Sequence, residues 1–210
     1  MISLSEILHT IAQALMIPCL IILLVLMAGA VWQIGDIVVE YIAERRKHKC
    51  NVPQLLRDVH AAGADGLADL IETSGLLRRQ KKALLELAES RGLPKDTLTA
   101  LAERLLATEE ARNARTTSIT DMIAKLGPMF GLLGTLIPLG PGIVALGQGD
   151  TVTLSESMNV AFDTTIAGVI SAAAASVISH IRKRWYNDDM VSLETLMEAV
   201  LEEVTSDVEG

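Results

Sequence analysis

Two apolar stretches decide the fold of this chain: residues 126–149 read LGPMFGLLGTLIPLGPGIVALGQG, and residues 161–184 read AFDTTIAGVISAAAASVISHIRKR. Each is long enough to cross a hydrocarbon core of about 30 Å, which takes about 20 helical residues. Both carry hydroxyl groups and small residues where membrane spans usually carry Leu. Polar groups at membrane depth usually face protein or water rather than lipid. The two stretches therefore predict a lined pathway.

The composition is that of a membrane protein. Apolar residues make up 50% of the 210 residues and aromatic residues only 3%, and the apolar residues form blocks between charge-rich stretches. The net charge of −8 and the lack of a basic patch with interleaved aromatics argue against a nucleic-acid partner. Cys19 and Cys50 have no metal-ligand spacing, so the sequence predicts no disulfide, metal site or cofactor.

A third apolar stretch lies near the start of the chain. Between residues 7 and 39 the only ionisable side chains are His9 and Asp36. A cleaved signal peptide is the alternative to a membrane span here, because Ala28-Gly29-Ala30 resembles a processing site. We expect a span, since the amino end has Glu6 and no basic residue and the apolar run is too long for a signal peptide.

Basic residues predict the orientation of the spans. Clusters of Lys and Arg follow the first and the third span, namely Arg45, Arg46, Lys47 and Lys49, then Arg182, Lys183 and Arg184. The connector at 148–158 has no Lys or Arg but contains two acids. By the positive-inside rule the basic ends lie in the cytoplasm and the connector lies outside.

Four regions are expected. Residues 1–40 form the first transmembrane helix with the amino terminus outside, 41–120 a cytosolic helical region, 121–186 the second and third transmembrane helices, and 187–210 an acidic cytosolic helix or tail. The fold class is all-α: an integral membrane protein with three transmembrane helices and long helices that extend into the cytosol.

Turn signals divide the cytosolic region into helices. Gly63, Gly75 and the run Gly92-Leu93-Pro94 interrupt a pattern of Leu at helical spacing. No such signal follows until Gly127, so one long helix is expected to continue into the second span. Thr153-Leu-Ser-Glu156 matches a capping box, which predicts that the third span starts near Ser155 and continues past Arg184.

Small residues recur every four positions in the second and third spans. They are Gly127, Gly131 and Gly134 in the second span, and Gly168, Ala172 and Ser176 in the third. This spacing lets membrane helices approach closely. We expect these residues to pack helices and to favour oligomerisation, with packing of the two spans inside one chain as the alternative.

Prolines interrupt the hydrogen-bond ladder of the second span in its outer half. Pro138 and Pro141 lack a backbone N–H, so carbonyls one turn earlier need other partners. A kink is expected there.

Polar side chains in the spans are the candidate functional groups. Thr135, Thr164 and Thr165 either line a path or donate hydrogen bonds back to helix carbonyls. Asp163 is either a proton-entry carboxylate or a group that solvates the outer helical turns. His180 is expected to contact headgroups at the inner end rather than relay protons.

The pattern Leu126-Gly-Pro-Met-Phe-Gly-Leu-Leu-Gly-Thr135, a polar outer loop and Ala161-Phe-Asp-Thr-Thr165-Ile-Ala-Gly168 resembles the MotA/TolQ/ExbB proton channel family. The resemblance covers about residues 115–190. It implies an inner-membrane stator subunit that forms a homo-oligomeric ring, a pentamer in this family, around the single membrane helices of a partner resembling ExbD, TolR or MotB. The partner supplies a protonatable Asp, and Thr135 and Thr165 match the family's pore threonines.

This chain departs from the family pattern at one acidic position. The ExbB-type pattern has a glutamate five residues before the threonine of the third span, and Val160 stands there. Asp163 has no counterpart in that pattern, so the departure raises the hypothesis that Asp163 takes an acidic role in proton entry.

Other classes of function are less well supported. No nucleophile elbow, phosphate loop or metal constellation is present, so the sequence does not predict an enzyme. A non-conducting membrane scaffold or assembly protein is the main alternative to the proton channel. A small transporter would need a polar binding cluster or an internal repeat, and the sequence shows neither.

Overall fold

The structure is a computed structural model that describes residues 4–45 and 51–209; this part of the chain is helical and contains no β-strand. The helices are α1 (Leu4–Ala14), α2 (Met16–Glu40) with a π-helical turn at Tyr41–Arg45, α3 (Val52–Thr73), α4 (Arg78–Glu89), α5 (Lys95–Gly147) and α6 (Thr151–Glu209). The all-α prediction is confirmed. Arg46, Lys47 and Lys49 of the predicted basic cluster lie outside the described residues, as does Cys50.

Three helical stretches are long and apolar enough to cross a membrane: Glu6–Ala43, Lys95–Gly147 and Thr151–Ser206. Helix α5 has 53 residues and α6 has 59. At a rise of 1.5 Å per residue, both are far longer than a span needs. The predicted single helix from near Pro94 into the second span is confirmed, as is the continuation of the third span past Arg184.

The chain divides into two compact units. One, here called the span unit, contains Met1–Ile37 and Thr117–Ile181; the other, here called the bundle unit, contains Val38–Thr116 and Arg182–Gly210.

In the span unit, α2 packs against α5 and α6. Cys19 and Leu23 of α2 form a buried cluster with Ile137 of α5. One to two turns further along α2, Leu26 and Ala30 are buried with Ile123 and Ala175. Large apolar side chains cover the remaining faces and are exposed: Ile17, Leu24, Trp32, Met129, Leu132, Leu136, Phe162, Ile166 and Ile170. Such a continuous exposed apolar surface fits lipid or further helices rather than water.

Helices α5 and α6 are antiparallel and touch through their glycines. A Cβ atom built on Gly168 would lie 2.5 Å from the carbonyl oxygen of Gly127 and 2.9 Å from Cα of Gly131. One built on Gly134 would lie 2.7 Å from Cβ of Thr164. Because backbone faces backbone at these points, no larger residue fits without moving the helices apart.

The two other small residues of the third span differ in their surroundings. Ala172 is buried, and its Cβ would lie 3.1 Å from a Cβ built on Gly127. Ser176 is exposed. A packing role for Ser176 would therefore require a second copy of the chain and stays a prediction.

Helix α5 is uninterrupted at its three prolines, Pro128, Pro138 and Pro141. Each lacks an N–H and so frees the carbonyl four residues earlier. Pro141 frees the carbonyl of Ile137, and the Nε2 amide of Gln13 donates a long hydrogen bond of 3.5 Å to that oxygen. The predicted need for a partner from a neighbouring helix is thus met at Ile137.

Helix α6 starts earlier than its sequence predicts. It begins at Thr151, and the carboxylate of Asp150 accepts hydrogen bonds from the backbone N–H groups of Val152 and Thr153 and from the Thr153 hydroxyl, the last at 2.6 Å. These bonds, the Thr153 hydroxyl first, lower the pKa of Asp150. The predicted capping box at Thr153-Leu-Ser-Glu156 is wrong, because Asp150 already satisfies the free N–H groups of the first turn.

The bundle unit has its own hydrophobic core. Helices α3 and α4, the first turns of α5 and the end of α6 all contribute to it; its most deeply buried residues include Leu67, Leu87, Leu98, Leu196 and Val200. The α3 helix bends at Gly63, whose φ of 64° suits glycine. The acidic end of α6 is therefore an integral part of this bundle.

A buried ion pair joins α2 to α6 within the bundle unit. Arg182 is 1% exposed, and its Nε donates to Oε2 of Glu40 at 3.2 Å. The rings of Tyr41 and Trp185 stack beside it with centroids 6.1 Å apart. A buried guanidinium needs such a partner, because removing one member leaves an uncompensated charge.

Replacing Gly168 with Ala is expected to lower the free energy of unfolding of the full chain in detergent by about 1–3 kcal/mol, since the new Cβ collides with the α5 backbone. Gly140→Ala is the matched control, because nothing lies within 4 Å of a Cβ built there. Thermal or denaturant unfolding measures both. Equal stability of the two variants would contradict the close packing.

The phenol of Tyr186, which lies beyond the third span, should ionise late. Burial, the charge of Glu40 and a hydrogen bond to Glu40 raise its pKa from 10 to about 12, against the opposing effect of Arg182. Stability from the neutral phenol is therefore complete below pH 10 and is lost as the pH rises towards about 12.

Ultraviolet absorbance of tyrosinate measures this directly in a Tyr41→Phe background, where Tyr186 is the remaining tyrosine of the two. Glu40→Gln removes a negative charge and should lower the pKa of Tyr186. Half-ionisation near pH 10 in a protein that circular dichroism shows to be folded would contradict the prediction.

Candidate functional site

The buried threonine of the third span lies in the contact between α5 and α6. Thr164 is 5% exposed and packs under Gly134. Its hydroxyl lies 2.9 Å from the carbonyl oxygens of both Val160 and Ala161 and donates to them. Thr164 therefore fills the helix contact, and its hydroxyl is occupied within its own helix.

Thr135 and Thr165 are half-buried, and each also donates to its own helix. The Thr135 hydroxyl donates to the carbonyl of Leu132 at 2.6 Å, and the Thr165 hydroxyl to that of Ala161 at 3.1 Å. Each hydroxyl has one proton to donate and two lone pairs that accept. With the proton engaged, both threonines present acceptor positions.

Helix geometry puts these two threonines on one side of the α5–α6 pair. Each follows by one residue, or about 100°, a residue of the helix contact: Thr135 follows Gly134, and Thr165 follows Thr164. Because the helices are antiparallel, a forward step on either one turns towards the same side. Ile137 packs against α2 on the other side of the glycine stripe. We call the side with Thr135 and Thr165 the threonine face; it lies away from α2.

Asp163 lies on a different side of α6. Two residues separate it from Thr165, which corresponds to about 200° around the helix. Asp163 is exposed between the exposed apolar side chains of Phe162 and Ile166. The structure therefore does not bring Asp163 together with Thr135 and Thr165 within one chain.

A polar pair that sequence reasoning missed lies where α5 enters the span unit. The Ser179 hydroxyl donates to Oδ1 of Asp121 at 2.5 Å. The two residues are 58 positions apart in sequence, so no local pattern links them. One usable signal was present: Thr135 and Thr165 stand 14 residues from Asp121 and Ser179 respectively (135 − 121 and 179 − 165).

His180 adjoins this pair on the outside of α6. It is exposed, and its Nδ1 lies 3.3 Å from the carbonyl oxygen of Ser176.

Comparison with known proteins connects this geometry to a family. A search of curated proteins found no match. The MotA/TolQ/ExbB proton channel family matches residues 71–195, more than half of the chain, and the match includes the glycine contact and the threonine face. Together with three helices able to span a membrane, this makes the chain a multi-pass membrane protein. It belongs to the MotA/TolQ/ExbB proton channel family.

Proposed function

We propose that this chain is the ring-forming subunit of a stator-type proton channel driven by the proton-motive force. In this proposal several copies, five by the family resemblance, surround a single-span partner that carries an intramembrane Asp. The observation that supports it is the threonine face, since Thr135 and Thr165 turn to the same side of the α5–α6 pair, away from α2.

The chemistry of back-bonded threonines suits a protonated carboxyl group. A neutral carboxyl group carries an O–H donor, and the free lone pairs of Thr135 and Thr165 accept from it directly or through water. An ionised carboxylate only accepts, so it would bind these hydroxyls only after their bonds to the helix break. The threonine face therefore favours the partner's Asp in its protonated form.

Proton flow through such a ring would supply mechanical work. Each proton that crosses inward releases about 2.3 kcal/mol per 100 mV of membrane potential. Several protons would bias discrete steps of the ring or of its partner. The chain itself performs no bond chemistry in this proposal.

The proposed location is the inner (cytoplasmic) membrane, with the amino terminus outside and the carboxyl terminus in the cytoplasm. The basic residues Arg182, Lys183 and Arg184 at the end of the third span support this orientation through the positive-inside rule.

A non-conducting scaffold is the second candidate, and one observation favours it. All three span threonines donate to their own helix, which is what purely structural hydroxyls do. A scaffold needs only the glycine contact and the exposed apolar faces.

Replacing Thr135 or Thr165 with Val decides between the two functions. Each loses an acceptor of the threonine face, so proton flux should fall roughly tenfold or more, as expected for loss of about one hydrogen bond to the moving group. The full chain, purified with its partner and placed in vesicles, takes up protons under a potassium diffusion potential, and a trapped pH dye reports the flux.

Thr108→Val is the matched control, because Thr108 makes the same type of bond, to Arg104 at 2.7 Å, in the bundle unit. Mass measurement of the complex establishes that assembly is intact. Normal flux in assembled Thr135→Val and Thr165→Val complexes would support the scaffold.

Asp163 is proposed as the proton-entry carboxylate. Since it faces away from Thr165 in its own chain, it would serve the path from the boundary between two copies. Asp163→Asn should then lower the flux several-fold without abolishing it, measured in the same vesicles. An unchanged flux would assign Asp163 to solvation of the outer turns of α6.

A further inference from the structure

The pair Asp121–Ser179 lies on the threonine face. Asp121 precedes Thr135, and Ser179 follows Thr165, by 14 residues each. At 1.5 Å and about 100° per residue, each is about 21 Å along its helix from the threonine and within about 40° of it around the axis. Both are displaced towards the same end of the span unit, because α5 and α6 are antiparallel.

Hydroxyl groups accompany this face towards Asp121. Ser176 stands 11 residues after Thr165, which is within about 20° of it around α6, and is exposed. Ser179 is 3% exposed, and its hydroxyl is directed at the carboxylate of Asp121. The α6 side of the face therefore carries hydroxyls at Thr165, Ser176 and Ser179 in an otherwise apolar helix.

A second buried hydroxyl adjoins the pair. Thr120 is fully buried, and its Oγ1 has no hydrogen-bond partner among the described residues. A buried hydroxyl without a partner is unfavourable, and a polar site of this kind suits a water molecule. Thr120 and Asp121 thus provide adjacent polar groups at the end of the threonine face.

We infer that Asp121, oriented by Ser179, is the carboxylate that accepts protons from the threonine face and releases them on the side of Arg182 to Arg184. This inference rests on the proposed channel function. A proton from the water and hydroxyl relay binds a carboxylate oxygen of Asp121 as an O–H bond forms. That bond then breaks towards bulk water, which restores the carboxylate, and no electrons are exchanged.

Asp121 differs from the hydroxyls in being able to hold a proton. Thr and Ser relay protons only through hydrogen bonds, whereas a carboxyl group binds and releases one in the accessible pH range. Ser179 donates to the charged form and fixes the carboxylate against α6.

Asp121→Asn separates proton release from structure. The amide oxygen of Asn still accepts from Ser179, so a structural role predicts normal flux, whereas a release role predicts a loss of tenfold or more. Asp121→Glu keeps a titratable group and should retain much of the flux. Asp188→Asn is the control, because Asp188 is an exposed acid of α6 in the bundle unit.

Formate gives a readout that a structural defect would not show. As a small mobile carboxylate on the release side, formate should restore flux in Asp121→Asn vesicles but not in Thr135→Val vesicles, after subtraction of the leak in protein-free vesicles. Restoration in neither variant would overturn the assignment of release to Asp121.

The outcomes also separate this inference from the channel function. Normal flux in Asp121→Asn together with lost flux in Thr135→Val overturns the release role and leaves the channel. A parent complex that conducts no more than protein-free vesicles overturns both. If the Asn variant does not assemble, Asp121→Glu decides: retained flux supports the role, and lost flux in an assembled complex contradicts it.

Discussion

The close approach of α5 and α6 at Gly127, Gly131 and Gly168 is the contact on which the rest of the span unit depends. Backbone atoms of the two helices meet there with no room for a side chain. That contact fixes the rotation of each helix about its own axis. The rotation in turn determines which residues are buried, which face α2 and which form the threonine face.

One consequence concerns the polar groups. A helix that buries Thr164 against Gly134 turns Thr165 out of the contact by about 100° and Asp163 out of it in the opposite sense. Hydroxyls and carboxylates that are neighbours in sequence thus receive different surroundings. Back-bonding satisfies the hydroxyl protons within their own helices and leaves acceptors on the threonine face.

The bundle unit depends on a different interaction. Its hydrophobic core draws on segments from most of the length of the chain, and the end of α6 packs with α3 and α4. The buried pair of Arg182 with Glu40 adds a specific polar contact to that core. A hydrophobic core tolerates many apolar substitutions, whereas a buried guanidinium with one carboxylate partner tolerates few. The pair therefore specifies how α2 and α6 meet within this unit.

The sequence by itself determined the helical class, the three spans, the uninterrupted helix after Pro94 and the family, because hydrophobic periodicity, helix breakers and the Gly-Leu-Leu-Gly-Thr motif are all local. It misplaced the start of α6, where two capping patterns overlap within seven residues and Asp150 prevails. Only the tertiary structure decided that the glycines meet a helix of their own chain, that Asp163 and Thr165 face apart, and that Ser179 bonds to Asp121. These outcomes depend on which faces of distant helices meet, and spacing within one helix contains no information about its partner.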